Sequence, residues 1–66
     1  MQLTINGEQR ALRDGLTLAD LLRREASQSR GCAAAVNGEV VPRADWAAFV
    51  LRAGQAVEIL TAVQGG

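Results

Sequence analysis

Polar and apolar positions alternate at the start of the chain. Met1, Leu3 and Ile5 share one face, with Gln2 and Thr4 on the other. A period of two marks a half-buried strand. Asn6-Gly7 follows, a dipeptide suited to a two-residue type I′ hairpin because both central residues take positive φ. Glu8 to Arg13 returns antiparallel, with Ala11 or Leu12 as its inward residue, and Asp14-Gly15 punctuates its end. The period then changes. Leu18, Leu21, Leu22 and Ala26 fall at helical spacing, with Asp20, Arg23, Arg24 and Glu25 on the opposite side. Thr17 reads as the N-cap: its hydroxyl accepts from an amide two or three residues on, and Asp20 suits the positive helix end. The helix ends within residues 26–31, a polar stretch closed by Gly31.

A second hairpin is predicted from the apolar run Cys32 to Val36, the turn Asn37-Gly38 and the return Glu39-Val40-Val41. Pro42 stops that strand or marks it as an edge. Arg43 to Phe49 suits a short helical turn, and Arg52-Ala53-Gly54-Gln55 a loop turn. In the last run, Val57, Ile59 and Thr61 alternate with Glu58, Leu60 and Ala62, so much of both faces is apolar. A strand apolar on both faces is expected at the centre of a sheet. The order hairpin, helix, hairpin, short turn, strand predicts an α+β domain. Its simplest closure sets the last strand beside the first, in the middle of a mixed sheet of about five strands, with one main helix packed across a face. That architecture is the ubiquitin-like β-grasp. Residues 1–62 are assigned to this domain and 63–66 to a flexible C-terminal tail ending in Gly-Gly.

Composition narrows the chemistry. The chain has 66 residues and 7.0 kDa, room for one small domain. Seven basic residues balance seven acidic ones, and every basic residue is Arg. His is absent and Cys32 is the single cysteine. Without His there is no Ser–His or Cys–His relay and no imidazole metal site, and one Cys makes neither an intrachain disulfide nor a CxxC centre. Zero net charge with dispersed Arg argues against nucleic acid and against a polybasic membrane patch. No run reaches the roughly 20 apolar residues of a membrane helix, and the N-terminus lacks a signal-peptide pattern. A soluble, cytoplasmic protein that is not itself an enzyme, without catalytic residues, bound metal or cofactor, is the expectation. Cys32 then reads as a reduced, buried structural thiol. The absence of Lys fits Arg-rich coding, in keeping with twelve Ala.

The most informative feature is the terminal Gly65-Gly66. With Gly at about 7% of residues, two terminal glycines arise by chance in roughly one chain in 200. Here they follow a predicted central strand, so the tail is anchored at one end. Four extended residues span up to about 14 Å, and glycine, lacking Cβ, passes a channel too narrow for other residues. A C-terminal carboxylate presented in this way is itself a substrate.

Asn6-Gly7, Thr17-Leu18 with Leu21-Leu22, Val36-Asn37, Val41-Pro42-Arg43-Ala44-Asp45-Trp46, the Gly54 turn and Gly65-Gly66 together resemble the ThiS family, small sulfur carriers of thiamine biosynthesis. The likeness spans the chain, and Val-Pro-Arg-x-x-Trp is its most discriminating part. Gln55 departs from it, standing where an acidic residue commonly follows the glycine of the last turn. The resemblance implies a cycle. A ThiF-type adenylyltransferase, using ATP and magnesium, activates the Gly66 carboxylate. Sulfur from a persulfide enzyme converts it to a thiocarboxylate, and a ThiG-type thiazole synthase takes that sulfur. Gly66 is then the reacting residue, and Gly65 and Gln64 thread with it. A ubiquitin-like protein modifier, or a carrier in a related pathway such as molybdopterin synthesis, shares the Gly-Gly tail.

The candidate partner surface comprises Leu60 and Val63, which flank the tail, with Arg43 and Trp46. Arg43 reads equally as a solvated charge or as a contact to a partner carboxylate. Trp46 and Phe49 read first as cover for a small core, although large aromatics also serve as interface anchors.

Overall fold

The computed structural model describes residues 1–25 and 31–61. Its strands are β1 (Gln2–Ile5), β2 (Glu8–Ala11), β3 (Cys32–Val36), β4 (Glu39–Val41) and β5 (Ala56–Thr61). Helix α1 (Leu18–Glu25) follows β2, and a 3₁₀ helix (Arg43–Ala48) follows β4. The sheet order is β2-β1-β5-β3-β4. β1 and β5 run parallel, while β1–β2, β3–β4 and β3–β5 are antiparallel. The last strand therefore lies centrally beside the first, and the mixed five-stranded sheet with one α-helix is a ubiquitin-like β-grasp.

Both hairpins turn where the dipeptides predict. Asn6 and Gly7 have φ of 51° and 84°, and Asn37 and Gly38 have 52° and 84°. Such pairs match the right-handed twist of the flanking strands. β2 is shorter than the predicted Glu8–Arg13, and Leu12, just beyond it, is the inward residue, while Ala11 is exposed.

Leu3 and Ile5 of β1, Ala34 and Val36 of β3, Val41 of β4 and Val57 and Ile59 of β5 all join one buried cluster. Leu18, Leu21 and Leu22 of α1 complete it with Leu12, Leu16, Trp46 and Leu51 from the connections. The helical spacing of the three leucines puts them on one stripe, and Ala26, the fourth member predicted, lies outside the described residues. Trp46 plugs the end of the core beside the 3₁₀ helix. The residue is 5% exposed and its Nε1–H donates to the Val41 carbonyl at 2.9 Å. Cys32 is half-buried against the cluster, less enclosed than expected because it opens β3 at the sheet margin.

The start of α1 is doubly held. The Asp20 amide donates to Thr17 Oγ1 at 3.1 Å, and the Thr17 amide donates back to Asp20 Oδ2 at 3.3 Å. This reciprocal cap satisfies donors that the first turn leaves free. The Leu18 amide donates to the Phe49 carbonyl and the Leu51 amide to the Leu16 carbonyl, lashing the segment before the helix to the one after the 3₁₀ helix. Arg10 of β2 makes a two-pronged contact with Glu25 of α1, at 2.9 and 2.7 Å.

These polar contacts move titrations. Hydrogen bonds from Thr17, chiefly its side chain and then its backbone, hold Asp20 below the ordinary carboxylate range. The Arg10 guanidinium does the same for Glu25. Both carboxylates thus bind protons more weakly folded than unfolded. Their contribution is fully present above the unfolded value of about 4 and is lost as pH falls through the lower folded values. The urea midpoint is expected to stay level from pH 7 to 5 and to drop below pH 4, with a shallower drop in Arg10→Gln. Thr17→Ala should cost about 1 kcal/mol by removing the cap. Trp46→Phe should cost about 1–3 kcal/mol by orphaning the buried Val41 carbonyl. Equilibrium denaturation reads both.

Candidate functional site

The site is built around β5, because this strand runs toward Gly65-Gly66. β3 flanks it from Val57, opposite Val36, to Thr61, opposite Cys32. β1 flanks only its first two residues, through Thr4 with Ala56 and Ile5 with Val57. The entry into β5 is a tight turn: Gly54 has φ of 84°, and the Gln55 side-chain oxygen accepts from the Arg52 amide at 2.8 Å. The carboxamide that departs from the family pattern thus still supplies a turn-closing acceptor.

Both hairpin asparagines reach β5 as well. Asn37 Oδ1 accepts from the Ala56 amide at 2.9 Å, at the strand's start. Asn6 Oδ1 accepts from the Ile59 amide at 2.8 Å, and its Nδ2 donates to the Ile59 carbonyl at 3.3 Å. The dipeptides announced two turns; nothing in their local pattern announced that each side chain would cross to the last strand.

Alternation along β5 divides its side chains. Val57 and Ile59 enter the core, whereas Leu60 is 66% exposed and Glu58 is exposed. The register sets Leu60 beside Ala33 and Glu58 beside Ala35, and Ala35 in turn lies opposite Val40 of β4, which is 75% exposed. The face turned away from the core therefore carries Leu60 and Val40 standing over the short side chains of Ala33 and Ala35. Two exposed aliphatic side chains on one sheet face, bridged by alanines, make this face a candidate contact surface. Val40 was not foreseen: in the sequence it forms half of a Val-Val pair, and only the pairing of β4 with β3 shows which valine faces out.

The candidate surface residues divide between the two sides of the domain. Leu60 lies on the open sheet face. Arg43 and Trp46 lie with α1, where they line a shallow cleft with Ala19, Leu22 and Arg23. The Arg43 guanidinium carbon stacks 5.3 Å from the centroid of the Trp46 ring. Trp46 is a core residue, so its candidacy as a docking side chain gives way to the core reading: its indole is enclosed and its N–H is bonded internally. Phe49 is half-buried against the same cluster. Val63, Gln64, Gly65 and Gly66 lie outside the described residues.

Among the described residues no three His, Cys, Asp or Glu side chains gather as metal ligands, and no helix is long and apolar enough to cross a membrane. Asp20 and Glu25, the carboxylates held below their usual range, both belong to α1. The open face thus presents shape and apolar area, with Glu58 as its central charge.

Comparison with known proteins agrees with this geometry. The model of the ThiS family matches residues 3–66. The chain is 29% identical over 66 residues to the sulfur carrier protein ThiS of Escherichia coli (strain K12), covering both proteins completely. It is 35% identical over 66 residues to a thiazole synthase of Paramagnetospirillum magneticum, where the match spans all of this chain and 20% of that protein. The crystal structure of the thiamine biosynthesis protein ThiS from Geobacter metallireducens superposes with a TM-score of 0.85 at 32% identity, each chain covered in full. The solution structure of a thiamine biosynthesis protein from the same organism gives 0.83 at 32% identity, over 88% of that chain. From Leu3 to the final glycine, and across the whole fold, this chain belongs to the ThiS family, the small sulfur carriers of thiamine biosynthesis.

Proposed function

We propose that this protein carries sulfur on its C-terminal carboxylate, as a Gly66 thiocarboxylate, and delivers it to a thiazole synthase. The observation that carries the reading is that the family match runs through residue 66 and so includes Gly65-Gly66, while β5, six residues long, holds the centre of the sheet just before them. A central strand, paired with β1 at its start and with β3 from Val57 to Thr61, is a firm base for a terminus that enters another protein's active site. Residues 1–62 form the β-grasp domain, and 63–66 act as the tail.

The carboxylate of Gly66 is a poor electrophile until an adenylyltransferase joins it to the α-phosphate of ATP and releases pyrophosphate, magnesium offsetting the phosphate charge. Sulfur from a persulfide then attacks the activated carbonyl and AMP leaves. Cleavage of the resulting sulfur–sulfur bond by a thiol frees the thiocarboxylate. The carrier contributes no proton transfer. It supplies an accessible carbonyl, glycines that fit a narrow channel, and a docking face.

Support for thiazole synthase as the acceptor comes from the Paramagnetospirillum protein, in which a segment like this entire chain occupies a fifth of a protein named for that activity. The open face around Leu60 and Val40 suits docking to both enzymes. Leu60 lies six residues before Gly66, so a partner that grips it has its reaction centre within about 20 Å.

Incubation with a ThiF-type adenylyltransferase, ATP, magnesium and a persulfide donor should raise the intact mass by one sulfur replacing one oxygen. Deletion of Gly66 should abolish that species while thermal unfolding is unchanged. Absence of the thiocarboxylate beside an active enzyme would sink the reading, and adducts to lysines of other proteins would favour the modifier instead. Leu60→Thr and Val40→Thr keep strand preference and remove exposed methyl groups. Each should alter stability by less than about 0.5 kcal/mol yet weaken binding to the adenylyltransferase or the synthase by more than about 1 kcal/mol.

A further inference from the structure

β1 is too short to accompany β5 to its end. Their pairing stops at Ile5 opposite Val57, where the chain turns away through Asn6-Gly7. β5 continues to Thr61 with β3 alone as its neighbour among the described strands. The Asn6 amide donates to the Val57 carbonyl at 2.9 Å, and its side chain then takes over. One carboxamide oxygen accepts the Ile59 N–H at 2.8 Å, and the carboxamide nitrogen donates to the Ile59 carbonyl at 3.3 Å.

A carboxamide offers the donor and acceptor that a peptide group offers, so it can stand in for a strand residue that is absent. Asparagine also tolerates the φ of 51° that this turn requires, which longer or branched side chains do not. One residue thus closes the hairpin and continues the parallel ladder two residues further along β5.

We propose that Asn6 is a positioning residue for the terminal carboxylate. Its side chain fixes Ile59 on the side that β1 leaves open, and so holds in place the strand from which the chain continues to Gly66. The inference rests on the carrier reading above. With the Asn6 side chain in place, the last residue of β5 held from both sides is Ile59, seven residues before Gly66. Without it, that residue is Val57, nine before Gly66. Small errors of aim at a reacting group are costly in rate, because the bound geometry must be close to that of attack. Asn37 provides an internal contrast. It makes the same kind of side-chain bond to β5, but at Ala56, the end of the strand remote from the tail.

The test is steady-state pyrophosphate release by a ThiF-type adenylyltransferase with magnesium-ATP, the carrier being the varied substrate. Asn6→Gly keeps positive φ and removes the carboxamide; Asn37→Gly does the same at the other turn. Asn6→Asp keeps the acceptor for the Ile59 amide and loses the donor. The expected result is a fall in kcat of about five- to tenfold for Asn6→Gly, exceeding any rise in KM, with a smaller fall for Asn6→Asp and none for Asn37→Gly. Faster hydrogen exchange at Ile59 in the Asn6 variants, with Leu3 still protected, should accompany it. If Asn6→Gly does not fold, Asn6→Asp against Asn37→Gly makes the same comparison. Wild-type kcat in the folded Asn6 variants, or an equal loss in Asn37→Gly, overturns the inference. An inert wild-type carrier beside an enzyme active on another carrier overturns the functional reading, and this inference with it.

Discussion

The structure depends on one pairing constraint: the last strand of the chain must occupy the middle of the sheet. Among the described strands, β5 is the element joined both to the β1–β2 hairpin and to the β3–β4 hairpin. Each hairpin alone is two strands with one apolar face, which is marginal in water. Thr4 and Ile5 must find Ala56 and Val57 from the far end of the sequence, a loop closure whose cost is met only when the whole apolar face closes at once. Folding of this small domain and placement of β5 at the sheet centre are therefore the same event.

That constraint also divides the labour between the two faces of β5. Side chains at alternate positions point to opposite sides. Val57 and Ile59 face α1 and are buried, and Leu60 faces away and is exposed. The core is satisfied from one side alone, with Leu18, Leu21 and Leu22 as its helical half and Trp46 closing its end. The opposite face carries the exposed side chains of Leu60 and Val40, with Ala33 and Ala35 of β3 between them.

Much of the fold was legible in the residues because its signals are local. Positive φ at Asn6-Gly7 and Asn37-Gly38, the reciprocal cap of Thr17 and Asp20, and the leucine stripe of α1 each follow from chemistry within a few positions. The central place of β5 was also anticipated, though for a different physical reason. Its apolar residues on both faces suggested burial on both; one face is buried and the other is the open patch containing Leu60. Trp46, whose residue type suits either a core or an interface, belongs to the core because it is buried and its indole N–H is bonded to the Val41 carbonyl.

By itself, then, the sequence determined the elements, their turns, the helix cap, the family likeness and the presence of a terminal Gly-Gly, since each rests on residue type at short spacing. Tertiary structure decided the rest: that Val40 joins Leu60 across β3, that Arg43 stacks on Trp46 on the helix side, and that Asn6 and Asn37 reach across to grip β5. Those relations join residues up to 53 positions apart. They exist only once the sheet has closed, and no local pattern of side chains encodes which strands become neighbours.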